Sequence, residues 1–312
     1  MTNFVPSPTR IRDLYTRMLL TRIVDECAWQ LHKEGKIDFV ASSRGHEAAQ
    51  VGSAVCIEVG TDFTLPYYRD LGVVLTIGMS PYEVFRTYLQ MHAATVHNEQ
   101  GDGAQCRPAP LHWGYHKHNA ISEAAPVATQ ILHAAGIAFA CKLRKASAVT
   151  VAYCGDGATA EPDFFEGICF AAQHQLPAIF ICEQDCTHSR VGAASASSCT
   201  GALALPAGLT HRRIDGANIA TVYTAMRSAM QHARGGHGPV LLEMYVTRST
   251  PGADDQRSSG TPGGRDPLLC CQRLLEEQGL WDDAWAAQIR ARISAEVEQA
   301  LQDALRDARP NL

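Results

Sequence analysis

The chain has 312 residues, 46% of them hydrophobic and 19% charged, with a formal net charge of −5. That size supports one large α/β domain or two modest ones around a substantial core. The acidic balance leaves no basic face for nucleic acid, and no block of like charges suggests a tail or a membrane-surface patch. No apolar run approaches the roughly 18 residues of a membrane span, and the opening MTNFVPSPTR lacks the apolar centre of a signal peptide. The 11 cysteines are odd in number and scattered, with no Cys-x-x-Cys. Cys27, Cys56, Cys141, Cys154, Cys169 and Cys182 sit in apolar elements and read as small buried hydrophobes, which points to a reduced, cytoplasmic setting.

Residues 8–33 predict an amphipathic helix, with Ile11, Leu14, Tyr15, Met18, Leu19, Ile23 and Cys27 at helical spacing. A second helix is expected from Gly45 to about Glu58. Ser80-Pro81-Tyr82-Glu83 is a helix start: a serine cap, proline at the first helical position and glutamate closing a capping box. Residues 97–119 have little periodicity and many turn formers, so a long functional loop is expected there. Helix 124–143 follows, then strand 149–154, helix 161–174 and strand 177–183 as a βαβ unit. A strand near 211–215, helix 219–234 and strand 239–246 continue the alternation, which implies a mostly parallel sheet with helices around it. The division expected is an α/β domain over 1–265, with an N-terminal helical arm, and a helical appendage over 266–312. The small-residue stretches 189–209 and 249–264 follow strand ends, where mobile lids sit.

The chemistry concentrates between Val149 and Asp185. One apolar strand ends in Gly155-Asp156-Gly157, and after a helix a second ends in Glu183-Gln184-Asp185. Ligands of open α/β sheets bind outside the carboxyl ends of the strands, so Asp156 and Asp185 face one crevice. Glycines beside a carboxylate suit a divalent metal holding a diphosphate: the backbone N–H groups approach the phosphate while carboxylates take the ion.

Four segments carry a family resemblance: RGHEAAQVGSA at 44–54, PYYRDLGVVLTIGMSPYEVF at 66–85, APVATQILHAAGIAFACKL at 125–143 and GDGATAEPDFFEGICFAA at 155–172. It returns in GPVLLEMYVTR at 238–248 and ADD at 253–255. Together they resemble the alpha subunit of the thiamine-diphosphate-dependent 2-oxo acid dehydrogenases of the branched-chain, pyruvate and acetoin complexes. The resemblance implies the three-layer thiamine-diphosphate-binding fold, with Mg²⁺ and thiamine diphosphate as cofactors. It also implies oxidative decarboxylation of a 2-oxo acid, with acyl transfer to a lipoyl-bearing acyltransferase. The cofactor then sits between alpha and beta subunits of a heterotetramer, and the glutamate that activates the aminopyrimidine lies on beta.

Carried over by position, Asp156 resembles a Mg²⁺ ligand, with Gly155, Gly157 and Ala158 near the diphosphate. Tyr68 and Arg69 match diphosphate contacts, and a guanidinium forks onto phosphate oxygens. Ala125, Pro126 and Val127 match the segment that cradles the aminopyrimidine, and Thr129 and Gln130 a monovalent-cation loop of some relatives. His112 matches a histidine at the site entrance, a pocket-wall or catalytic role; a zinc site with His116 and His118 is the other reading of that loop.

The chain departs from the family twice. Asp185 stands where the family has a metal-ligating asparagine, with Thr187 in place of a tyrosine whose carbonyl completes the site. Thr250 stands nearest a histidine that contacts cofactor and acyl acceptor, and threonine cannot exchange protons near neutral pH as imidazole does. These changes keep open a divergent, non-catalytic paralogue; a split transketolase-like subunit is the third reading. His133 reads as a core histidine, and Trp113, Trp281 and Trp285 as packing anchors.

Overall fold

A computed structural model describes residues 5–99, 113–115, 118–122, 126–187, 205–249 and 266–308. The chain order is α1 (Pro8–Lys33), α2 (Glu47–Ala54), β1 (Phe63–Leu65), α3 (Leu71–Thr76), α4 (Pro81–Glu99) and α5 (Thr129–Leu143). Then come β2 (Thr150–Gly155), a 3-10 turn (Asp156–Ala160), α6 (Pro162–Gln173), β3 (Ala178–Asp185), β4 (Thr210–Asp215), α7 (Ile219–Arg234), β5 (Val240–Val246), α8 (Pro267–Glu277) and α9 (Asp283–Asp307).

The five strands form one parallel sheet in the order β1-β2-β3-β5-β4. Side-chain alternation divides its central strands cleanly. Val151, Tyr153, Ile179, Ile181 and Leu242 pack toward α7 and α2, whereas Ala152, Cys154, Phe180, Cys182 and Leu241 pack toward α5 and α6. Helices therefore cover both faces, the three-layer arrangement expected, and both sides of β2 and β3 are apolar because neither meets water. α8 and α9 join α1 to α4 in a third cluster through Leu268, Cys271, Leu275, Ile293 and Val297. Among the described residues no helix is long and apolar enough to cross a membrane.

Local chemistry explains where the helices start. Ser7 caps α1 by accepting from the Arg10 amide at 3.3 Å. At α4 the Ser80 amide donates to Glu83 Oε2 at 2.8 Å and the Glu83 amide to Ser80 Oγ at 3.3 Å, the reciprocal box read from the sequence.

Several expectations need correction. The second helix does not begin at Gly45, whose φ of +94° lies in the left-handed region and whose Cα packs against the Thr247 carbonyl. It also ends at Ala54 rather than near 58, because the chain turns so that the Asp62 carboxylate can accept from the Glu58 amide at 2.8 Å. α5 begins at Thr129 rather than 124, after Ala128 adopts φ +72°. α4 runs to Glu99, into the stretch expected as loop. β1 and α3 were not foreseen: at 3 and 6 residues they are too short to display a period. His133 is exposed rather than in the core, since α5 is apolar nearly all round and periodicity does not choose its buried face. Trp113 is buried as expected, its Nε1 donating to the Tyr68 carbonyl at 3.1 Å, and Trp281 and Trp285 pack on Tyr15. The stretches expected as lids lie outside the described residues over 189–204 and 250–264, as do His112, His116, Ala124, Ala125 and Thr250.

Candidate active site

The parallel sheet directs the carboxyl ends of β2 and β3 to one side, in register with Gly155 opposite Glu183. Beyond them lies a cavity of about 350 Å³. Of the residues singled out in the sequence, Tyr68, Arg69 and Val127 line it. Gly155, Asp156, Gly157 and Ala158 line it from the turn after β2, and Asp185 from the end of β3. Thr187 is not among the lining residues and reaches the site through its bonds to Asp185.

At the end of β2, Asp156 Oδ1 accepts from the Gly157 amide at 3.0 Å and its carbonyl accepts from Thr159 Oγ1 at 2.7 Å. These short-range bonds hold the turn and leave Asp156 Oδ2 without a partner among the described residues. At the end of β3, Asp185 is engaged on both oxygens. Oδ1 accepts from the Thr187 amide at 2.9 Å and from the Thr187 hydroxyl, and Oδ2 accepts from Arg248 Nε. Burial works against the Asp185 charge, but the Thr187 donors and the Arg248 guanidinium together hold its carboxyl below the ordinary value.

The cavity wall also holds a buried polar network that the sequence did not reveal. Glu183 Oε2 accepts from Tyr67 OH at 2.7 Å and Gln50 Nε2 at 3.3 Å, and lies 2.6 Å from His46 Nδ1. Gln50 also donates to the Arg69 carbonyl at 3.1 Å, which links this network to the Tyr68-Arg69 segment. Burial, reinforced by the Glu183 charge, raises the Tyr67 phenol well above its ordinary value, so it stays a neutral donor. Arg69 Nη1 donates to the Ser42 carbonyl at 2.7 Å, and its guanidinium carbon lies 5.5 Å from the Tyr68 ring centre. Tyr68 is 37% exposed and Val127 51%, an apolar rim on a polar cavity. Gln130 lines the cavity and donates from Nε2 to the Tyr153 carbonyl at 3.0 Å, while Thr129 Oγ1 donates to Asp163 Oδ2 at 3.2 Å.

His46, Glu183 and Arg248 are the site residues that reading by motif missed. Glu183 was within reach, since residues two apart on a strand share a face and Asp185 was already singled out. His46 and Arg248 come from distant segments and carried no such signal.

Four carboxylates, Asp156, Glu161, Glu183 and Asp185, and two guanidiniums, Arg69 and Arg248, thus line one cavity. Among the described residues no group of three or more His, Cys, Asp and Glu side chains forms a metal cage by itself. A hard divalent cation needs only one or two carboxylates when phosphate oxygens supply further ligands. The donor set, with acidic oxygens from two strand ends and cations facing them, fits a metal-bound diphosphate.

The family model described as "Dehydrogenase E1 component" matches residues 15–312. The chain belongs to this dehydrogenase E1 component family. It is 37% identical over 281 residues to the "2-oxoisovalerate dehydrogenase subunit alpha" of Bacillus subtilis (strain 168), covering 87% of this chain and 83% of that protein. It is 33% identical to the "3-methyl-2-oxobutanoate dehydrogenase subunit alpha" of Mycobacterium tuberculosis (strain CDC 1551 / Oshkosh), over 90% of this chain and 75% of that one. Identity is 31% to the "Pyruvate dehydrogenase E1 component subunit alpha" of Staphylococcus aureus (strain Mu50 / ATCC 700699), again over 90% and 75%. The E1 family uses thiamine diphosphate with a divalent metal ion, typically Mg²⁺, and its alpha subunits work with a beta subunit and the acyltransferase of the complex.

Proposed function

We propose that this chain is the alpha subunit of a thiamine-diphosphate-dependent 2-oxo acid dehydrogenase, active only with its beta subunit. The reaction releases the substrate carboxylate as CO₂. The remaining acyl group passes to a lipoyl disulfide, which is reduced as the acyl thioester forms. The observation that carries this reading is the meeting of Asp156, Asp185 and Arg69 in one cavity at the carboxyl ends of adjacent parallel strands. Identity to two relatives named for branched 2-oxo acids supports a small branched substrate.

Asp156, Asp185 and the Thr187 carbonyl are the ligands proposed for Mg²⁺. Gly157 and Ala158 amides, with Tyr68 and Arg69, hold the diphosphate, and Val127 and the preceding Ala125 support the aminopyrimidine. When bound, the thiazolium supplies the electron sink for decarboxylation. The protein's own work is to neutralise the diphosphate, orient the ring and exclude water. His112 is proposed for the entrance, where substrate and lipoyl group arrive. An α₂β₂ assembly in the cytoplasm completes the reading.

A specific observation favours the divergent-paralogue alternative: both Asp185 oxygens are already engaged within the protein. Calorimetry separates the two readings. The complex of this chain with its beta partner should bind thiamine diphosphate in the presence of Mg²⁺, and Asp156→Ala should weaken binding at least about tenfold, as expected for loss of a charged ligand. No binding at millimolar cofactor would remove the enzyme reading. Unchanged affinity in Asp156→Ala would remove only the metal assignment.

A further inference from the structure

The cavity wall contains three buried polar atoms with no partner among the described residues, Gln130 Oε1, His46 Nε2 and Glu183 Oε1. His46 is 2% exposed and Glu183 1%, yet both line the cavity. Buried polar atoms in folded proteins are nearly all paired, so orphans in a cavity wall mark where a polar group binds.

The ring of His46 is fixed from both sides. On the core side, Nδ1 meets a carboxylate oxygen that also receives the Tyr67 and Gln50 donors. Along the backbone, the left-handed Gly45 donates its amide to Glu47 Oε2 at 2.8 Å, and the Ser43 amide donates to Asp25 Oδ1 at 2.8 Å. The imidazole is therefore placed before any ligand arrives, and little ordering cost falls on binding. With Nδ1 committed to Glu183, the opposite nitrogen is the one left to the cavity. An N–H at that nitrogen, on a ring whose Nδ1 is held by Glu183, can donate to an anionic oxygen in the cavity. The other charged groups of the cavity are Asp156, Asp185, Glu161, Arg69 and Arg248. The two guanidiniums make an anion the natural occupant beside the acids that take a metal.

We propose that His46, oriented by Glu183, contacts the diphosphate, donating from Nε2 to a phosphate oxygen. The proposal rests on the thiamine-diphosphate reading above and adds a ligand-binding residue to it.

The test titrates the complex with its beta partner, using thiamine diphosphate with Mg²⁺ and, separately, inorganic pyrophosphate with Mg²⁺. In His46→Asn the amide nitrogen stands near the place of Nδ1, so the bond to Glu183 is kept and the Nε2 donor is removed. Both affinities should fall together by about ten- to a hundredfold, the loss expected for one charge-assisted hydrogen bond. The melting temperature of the ligand-free complex should be unchanged. In His46→Gln the amide nitrogen reaches the place of Nε2, and both affinities should stay within about threefold of wild type. Unchanged affinities in His46→Asn overturn the proposal. Equal weakening in both variants with a lowered melting temperature also overturns it, because that marks a purely structural role. A wild-type complex that binds neither ligand overturns the cofactor reading and this inference with it. Wild-type binding with an indifferent His46→Asn overturns the inference alone.

Discussion

Arg248 and Asp185 hold each other across the mouth of the site, and this pair decides how a metal enters. Arg248 is 45% exposed at its side chain and Asp185 11%, so the pair is partly solvated and worth only up to about 1 kcal/mol. A cation at Asp185 therefore competes with a weak internal partner rather than a deep one. Removing the guanidinium should have opposite effects on the two halves of the ligand. Arg248→Gln should raise the affinity for Mn²⁺ alone by up to about fivefold, because Asp185 Oδ2 no longer has a competing cation. The same change should lower the affinity for pyrophosphate, because one of two cavity guanidiniums is gone. Paramagnetic resonance of free Mn²⁺ and calorimetry of pyrophosphate read the two separately. A fall in both would mean that Arg248 supports the fold of the strand end rather than contesting the metal.

At the scale of elements, the segment that carries His46 depends on an ion network linking three helices. Arg22 of α1 pairs with Glu47 at the start of α2 and with Asp266, the cap of α8, at 2.9 Å. Glu47 is fully buried and also accepts from the Gly45 amide, so the network holds the turn before α2 in place. Burial opposes the Arg22 charge, but its two carboxylate partners hold it firmly protonated. Breaking a buried pair leaves a charge in the core without a partner, and Arg22→Met should cost about 3–5 kcal/mol in denaturant unfolding. The double change Arg22→Met with Glu47→Gln should recover much of that loss, because the amide needs no counter-charge. No recovery would show that lost packing, not charge, is the cause. None of this network was legible in the sequence, since its members lie far apart along the chain and only the fold assembles them. What was legible is local or periodic: the capping box at Ser80, the full span of α1, and the β2–α6–β3 unit with its acidic strand ends. Helix starts were misplaced where the backbone turns left-handed, at Gly45 and Ala128, since nothing in residue type announced an alanine in that conformation. Asp156 and Asp185 were found because strand ends in a parallel sheet converge by topology; His46 was not, because its role comes from burial against Glu183.

For the whole molecule, Tyr68 and Val127 expose apolar surface at the cavity among the described residues. A diphosphate and a metal satisfy the polar floor, but an apolar rim needs a second apolar surface, which the proposed beta subunit supplies. Cofactor binding should therefore be a property of the assembly more than of this chain. A ligand that binds only the folded state stabilises it by RT ln(1 + [L]/Kd), about 2.7 kcal/mol at a hundredfold excess over Kd. Spread over an assembly larger than this 312-residue chain, that corresponds to a rise of at most about 4 °C in melting temperature. The complex with its beta partner should gain this rise with thiamine diphosphate and Mg²⁺ together, and lose it when EDTA removes the metal, because the diphosphate then faces Asp156 and Asp185 without a cation between them. This chain alone should gain markedly less under the same conditions. An equal rise for the isolated chain would mean that its own cavity completes the site. A rise that survives EDTA would mean that Arg69 and Arg248, rather than a metal, neutralise the diphosphate.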